Sequence, residues 1–391
     1  MERAELESWL RLTLTPGVGN DAARRLLASF GLPEQIFGQS ASALRQVVST
    51  KQASALAREP DGLAQATDAT WNWLHGRHDD APPASGKSIL TLADSSYPGS
   101  LLAIDDPPLL LYLHGMAGLL DGTSDALLAQ ALAASIAIVG SRNPTPQGAA
   151  NARQFARALG QAGLAVVSGL AMGIDGSAHE GALEVAAPDR LATVAVVGTG
   201  LDRVYPRKHL ELARRITRQG LIVSEYAIGT PPLASNFPRR NRIISALSQG
   251  TLVVEAALLS GSLITARLAA EQGKEVFAIP GSIHSTQSRG CHALIRQGAK
   301  LVESAQDVLE ELKWHHAALA SSVRGTENEA PRPPNETVLL QALGFDPVSL
   351  DALQARTGLV TADLQAQLMA LELSGLVARL PGALFQRIAA A

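Results

Sequence analysis

Ile136-Ala-Ile-Val-Gly-Ser-Arg142 is an uninterrupted apolar run that ends in small residues and a cation. A run of four with no polar alternation fits a strand covered on both faces, and the glycine that follows fits a tight exit turn. Five further runs repeat the pattern downstream: Ala165 to Val167, Thr193 to Val197, Leu221 to Val223, Thr251 to Val254 and Val276 to Ile279, with amphipathic helical stretches between them. Strands alternating with helices predict a doubly wound, Rossmann-like parallel sheet in an α/β domain ending near Leu312. Ser88 to Leu92 and Leu109 to His114 read as a short strand extension preceding it, so the domain spans 88–312.

Flanking segments differ in kind. Residues 1–80 read as short helices, with Thr15-Pro-Gly-Val-Gly19 between two of them in the manner of a helix-hairpin-helix or SAM-like domain. Glycine amides in such a turn can hold one DNA phosphate, but a plain structural turn is the favoured reading, because only Arg24 and Arg25 follow it and no second hairpin is evident. Residues 81–87 and 313–334 are Pro- and Ser-bearing linkers. Residues 335–391 give three helices and a hairpin across Pro381-Gly382, the order of a winged helix. Its third helix, Thr361 to Ser374, carries Asp363 and Glu372 but no Lys or Arg, which suits a protein contact or a structural role better than a DNA groove.

Composition narrows the chemistry. A net charge of −3 over 391 residues excludes a histone-like basic coat, so any nucleic-acid binding must use a local patch. The single cysteine, Cys291, excludes an intrachain disulfide and a multi-cysteine zinc site, and is expected as a packed core thiol. His75 and His78 lack further ligands nearby, so no metal is expected. No apolar run approaches the ~20 residues of a membrane span, and a cytoplasmic protein without membrane contact is expected.

The local patch lies between Tyr226 and Val254, where no acidic residue occurs and the only cations are Arg239, Arg240 and Arg242. Pro238 suits a first helical turn, and Ile243, Ile244 and Leu247 supply a buried face, so the arginines crowd a helix N-terminus. Cations there oppose the helix dipole, at a cost that makes sense if an anion binds. Arg239 and Arg242 share one face, while Arg240 aligns with Ile244 toward the cleft. Asn236, Phe237 and Asn241 complete the patch with amides and a ring that a base can stack on.

Three small-residue loops fall at the carboxyl ends of predicted strands, where ligands of such sheets bind. They are Gly140-Ser141-Arg142, Ser168-Gly169 through Asp175, and Gly198-Thr-Gly-Leu-Asp202 followed by Tyr205-Pro206 and Lys208. Backbone amides in such loops can cradle phosphate, and Arg142 adds a fork at the edge. The pyrophosphate glycine fingerprint and the P-loop Gly-Lys-Ser/Thr are both missing, so no nucleotide cofactor is expected. Asp175 and His179 form an acid–imidazole pair at helical spacing, but Asp175 reads better as a helix cap. Ser262 and Thr265 likewise read as caps.

Together Ile138-Val-Gly-Ser-Arg142, Ser168-Gly-Leu-Ala-Met-Gly-Ile-Asp175 with Ala178-His179, Gly198-Thr-Gly-Leu-Asp202 with Tyr205-Pro206, Asn236-Phe-Pro-Arg-Arg-Asn-Arg-Ile-Ile244 and Ser260-Gly-Ser-Leu-Ile-Thr-Ala266 resemble the DNA processing protein A (DprA, also called Smf) family. The resemblance implies a non-enzymatic single-stranded DNA binder of natural transformation that shields incoming strands and loads a RecA-type recombinase. It implies a homodimer, and places Gly140, Ser141, Arg142, Ser168, Gly169 and Asn236 to Arg242 around the strand. The competing reading is a phosphoribohydrolase-like nucleotide-processing enzyme acting through Glu255, disfavoured because Ser248-Gln-Gly-Thr251 lacks that class's run of glycines.

Overall fold

The structure is a computed structural model that describes residues 1–76, 85–120, 125–314, 334–344 and 347–388. Nine strands form one sheet: β1 Ser85–Thr91, β2 Leu110–Met116, β3 Ser135–Val139, β4 Ala165–Ser168, β5 Thr193–Val197, β6 Gly220–Ser224, β7 Gly250–Val253, β8 Glu275–Ala278 and β9 Lys300–Leu301. Their order is β1-β2-β6-β5-β4-β3-β7-β8-β9. Every pairing from β6 to β9 is parallel, and β1 and β2 join antiparallel at one edge. The six predicted runs are all strands of this doubly wound sheet. The chain winds outward from β3 to β6, then restarts at β7 on the other side of β3, so the topological switch lies between β3 and β7.

Each central strand is buried on both faces, which is why the sequence shows no polar alternation. One face packs Val139, Val196, Ile243 and Leu247, and the other packs Ile138, Phe155, Ile174 and Phe277. Cys291 is fully buried in the first of these layers, as expected, and burial pushes its thiol up to about 12. The strand extension begins at Ser85, inside the stretch read as a linker. The final strand, β9, went unpredicted because two residues carry no readable period.

Helices of the N-terminal segment run from Arg3–Leu14 to Leu63–His75. Their core is continuous with the sheet edge: Leu6, Trp9, Leu10 and Trp73 pack with Ile89, Leu110 and Tyr112 of β1 and β2. The Thr15–Gly19 turn separates the first two helices, Arg3–Leu14 and Asn20–Phe30, with Gly17 at a φ of +80°. His75 lies against the Trp71 ring, and His78 falls outside the described residues. Among the described residues no group of three metal-binding side chains occurs, and no helix is long and apolar enough to cross a membrane.

At the C-terminus, helices Pro334–Leu343, Leu350–Thr357 and Thr361–Leu373 combine with β10 Val348–Ser349, β11 Val377–Leu380 and β12 Leu384–Arg387 into a winged helix with its own apolar core. The third helix leaves Met369 and Leu373 exposed. Residues 315–333, read as the core of a linker, fall outside the described residues.

Phe277 is fully buried in β8, and its ring lies so close to Gly250 that a Cβ there would sit 2.8 Å away. Phe277→Ala is expected to cost about 3–5 kcal/mol, read as a lowered denaturant midpoint, because the flanking strands cannot close over the cavity.

Candidate nucleic-acid interface

A cleft of about 730 Å³ opens at the carboxyl edge of the sheet, over the switch between β3 and β7. Its walls come from the loop after β3, the loop after β7 and the helix Asn236–Leu247. The loop after β3 is strapped on both sides, since Ser141 N donates to Glu255 O at 2.7 Å and Ile174 N donates to Ser141 O at 3.1 Å. Gly140 is required there: a Cβ would stand 2.8 Å from Glu255 O and 2.7 Å from Ile174. Two amides of the expected phosphate cradle are thus already engaged, Ser141 N by Glu255 and Asn143 N by the Ser141 hydroxyl at 3.1 Å. What this loop offers the cleft is the exposed side chain of Arg142.

The three arginines of the helix have different surroundings. Arg240 is 4% exposed, and its Nη1 donates to Gly169 O at 2.6 Å and to Val196 O. Its guanidinium therefore forms part of the cleft floor, tying the helix to the ends of β4 and β5. Asp175 lies beside it and accepts from Gly169 N at 3.1 Å and Ala171 N at 3.3 Å. Burial raises the Asp175 carboxyl, opposed by the charge of Arg240, and burial lowers Arg240, opposed by Asp175. Arg242 is 9% exposed, gripping Glu225 through both Nη atoms and bonding Asp106 O at 2.8 Å. It does not line the cleft. Arg239 shares its face as expected, reaching Asp106 only at 4.0 Å with an exposed side chain. At the other end of this helix Lys274 Nζ donates to Ser245 O at 2.8 Å and Ala246 O at 2.6 Å, and burial lowers it to about 8.

Phe237 lies at the mouth. Its ring centroid is 5.5 Å from that of Tyr205 and 5.8 Å from the Arg142 guanidinium carbon, so two rings and a cation stand together. Asn236 Nδ2 donates to Gly198 O at 3.0 Å, which brings the loop after β5 against the helix. Asn241 lines the cleft, bonded to Arg240 Nε at 3.1 Å. The Ser168 hydroxyl is turned inward onto Ile138 O at 2.7 Å, and Gly169 sits where a Cβ would meet the Arg240 guanidinium at 2.0 Å. Lys208 is exposed in the short turn Arg207–His209 and is not part of the cleft wall. Tyr205 was not among the expected ligands, although its place beside Gly198-Thr-Gly-Leu-Asp202 was the available signal.

Several smaller expectations change. Asp175 does not cap its helix Ile174–Glu184; it gathers amides of the loop before it, because Gly173 at φ +81° already turns the chain. The Ser262 and Thr265 side chains do not cap Ser262–Glu271 either, and the Ser262 hydroxyl meets that of Ser260 at 2.7 Å. His179 is fully buried, with Nδ1 2.7 Å from the Thr193 hydroxyl, and burial together with His209 and Arg240 holds it near 3. An enclosed imidazole held that low takes up no proton near neutral pH and is a poor general base. The Glu255 carboxylate accepts from Thr145 N at 2.9 Å and from its hydroxyl, and a Cβ at Gly148 would meet it at 2.3 Å, so it serves the start of the helix Pro146–Gln161.

The model of the family described as DNA recombination-mediator protein A matches residues 88–313, more than half of the chain. The chain belongs to that family. The model of the DprA winged helix domain matches residues 325–383. The chain is 42% identical over 298 residues to Protein Smf of Escherichia coli K12, covering 74% of this chain and 75% of that protein. Protein Smf of Synechocystis is 33% identical over 418 residues, covering 99% and 100%. The X-ray structure of DNA processing protein A from Streptococcus pneumoniae superposes with a TM-score of 0.63 at 34% identity, covering 81% of this chain and 99% of that one. The family's shared domain is thus the one that carries the cleft.

Replacing Arg240 by Met strands a buried Asp175 carboxylate. The expected loss is about 3–5 kcal/mol at pH 7. Because Asp175 is already raised in the folded protein, acidification through that raised value protonates it preferentially in the folded state, so the loss should shrink as pH falls. Unfolding of the single variant and of Arg240→Met with Asp175→Asn, at pH 7 and pH 5, checks this; equal losses at both pH values would refute it.

Proposed function

We propose that the cleft binds a single DNA strand, that the protein shields it and passes it to a RecA-type recombinase, and that it works as a homodimer in the cytoplasm. One observation carries the strand reading: at the cleft mouth the exposed Arg142 has no carboxylate partner among the described residues and stands against Phe237, whose ring is paired with that of Tyr205. A fork beside two aromatic rings suits a phosphate next to an unstacked base, whereas duplex DNA presents no free base face. Among the described residues Asp175 is the only acid of the cleft wall, and it is buried. Family membership adds the DNA-processing setting.

Within this reading Arg142 and Arg239 hold phosphates, Phe237 stacks a base, and Asn236 and Asn241 shape the wall. Gly140, Ser141, Ser168 and Gly169 let the main chain approach. Arg240 and Arg242 set the helix in place beneath the strand, and Lys208 extends the positive field outward. Nucleotide processing through Glu255 is disfavoured, because its carboxylate is spent on Thr145.

Arg142→Ala should weaken binding of all single-stranded sequences about equally and lower the salt slope by about one unit. Phe237→Ala should cost about 1–3 kcal/mol with little change in salt slope, because it removes stacking rather than charge. Fluorescence anisotropy on single-stranded and duplex probes at two salt concentrations separates these effects. Equal affinity for the two probes would overturn the strand reading, as would an unchanged Arg142 variant.

A further inference from the structure

The turn Arg207–His209 and the helix Leu210–Gln219 begin two residues beyond Tyr205, on the lip of the cleft. Leu212, Ala213, Ile216 and Thr217 bury one side of that helix. Positions 211, 214, 215 and 218 recur at three- and four-residue spacing and therefore occupy the opposite side, and 207 and 208 are exposed in the turn that leads into it. Five of these six are cations: Arg207, Lys208, Arg214, Arg215 and Arg218. The sixth, Glu211, meets only Arg214 among the described residues, at 3.6 Å across an exposed pair that contributes little. The stripe therefore carries five positive charges against one negative charge over about 15 Å of helix.

This concentration is at odds with the chain as a whole, whose net charge is −3. It is also costly for the helix itself, since Arg218 stands at repelling spacings from both Arg214 and Arg215. Such crowding is tolerated where a polyanion covers it. Because the helix runs antiparallel to its strands, it leads from the carboxyl edge, where the cleft opens, down the flank of the sheet.

We propose that the stripe Arg207, Lys208, Arg214, Arg215, Arg218 is a track for the phosphate backbone of the DNA strand where it leaves the cleft past Tyr205. The proposal rests on the strand reading of the cleft and deepens it. The cleft region holds a few nucleotides by stacking and the forks of Arg142 and Arg239, and the flank holds the next few through phosphates alone. Strand length thereby becomes a determinant of affinity, and the flanking contacts read no sequence.

The test uses the full chain with Arg214, Arg215 and Arg218 all replaced by Gln, none of which lines the cleft. Two probes are compared: a short oligothymidylate of about six nucleotides and a several-fold longer one. The wild type should bind the longer probe with the steeper salt slope. The variant should bind the short probe unchanged, bind the long probe at least about tenfold more weakly, and lose about two units of slope, since each single-strand phosphate contributes about 0.7. The Lys triple variant should restore both values, which a packing role for the guanidinium groups would not allow. Long-probe affinity and slope unchanged in the Gln variant would overturn the track and leave the stripe to an acidic protein surface. A wild type that binds the long probe but not the short one would refute the cleft reading, while the Gln variant would still decide the track. Binding of neither probe by the wild type would overturn both.

Discussion

The arrangement of the cleft depends on one buried guanidinium. Arg240 reaches from its helix to Gly169 O and Val196 O, the ends of two adjacent parallel strands, while Asp175 collects the amides of Gly169 and Ala171 on the same loop. Carbonyls at the end of a parallel sheet have no further strand to pair with, and leaving them unsatisfied away from water is expensive. An arginine, with five donors in a fixed fork, answers several at once. Its desolvation is offset by the nearby carboxylate. Helix, loop and strand ends thus hold a shared geometry that none would hold alone.

That division of labour explains why a helix N-terminus can carry three arginines without acids in its own neighbourhood. Two of the charges are neutralised from elsewhere: Arg240 by Asp175, and Arg242 by Glu225 and Asp106. The cations left exposed are Arg239 on the same helix and, at the cleft mouth, Arg142 on the loop after β3. Lys274, bonding the last carbonyls of the same helix, places a cation where the dipole favours it and satisfies groups that would otherwise be orphaned.

The sheet was legible because burial on both faces leaves continuous apolar runs, and the small-residue loops at its carboxyl edge followed from where those runs stop; the strand order, and with it the switch point, was not. The division among the arginines was not legible. Helical spacing placed Arg240 on the cleft side, but spacing says nothing about whether a guanidinium is free or already bonded to main-chain carbonyls. The acid that neutralises Arg242 is Glu225, the residue immediately outside the acid-free stretch, with Asp106 more than a hundred residues upstream. Capping by Asp175, Ser262 and Thr265 failed for a related reason: residue type and position favour a cap, yet tertiary partners decide where the oxygen points. The ring of Tyr205 against Phe237 depends on two loops meeting and has no signature in either segment.

The Glu225 carboxylate has one further partner: Asn20 Nδ2, 3.1 Å away at the start of the second N-terminal helix. One carboxylate therefore serves both the helical N-terminal segment and the helix that walls the cleft. The matched family domain begins at residue 88, so a truncation drawn at that boundary would look conservative on paper. Physically it would cut through a common core, baring Leu110 and Tyr112 and freeing Glu225 on one side. The covalent seam and the mechanical seam of this protein do not coincide, and the N-terminal helices are better regarded as the back wall of the cleft's foundation than as a detachable appendage.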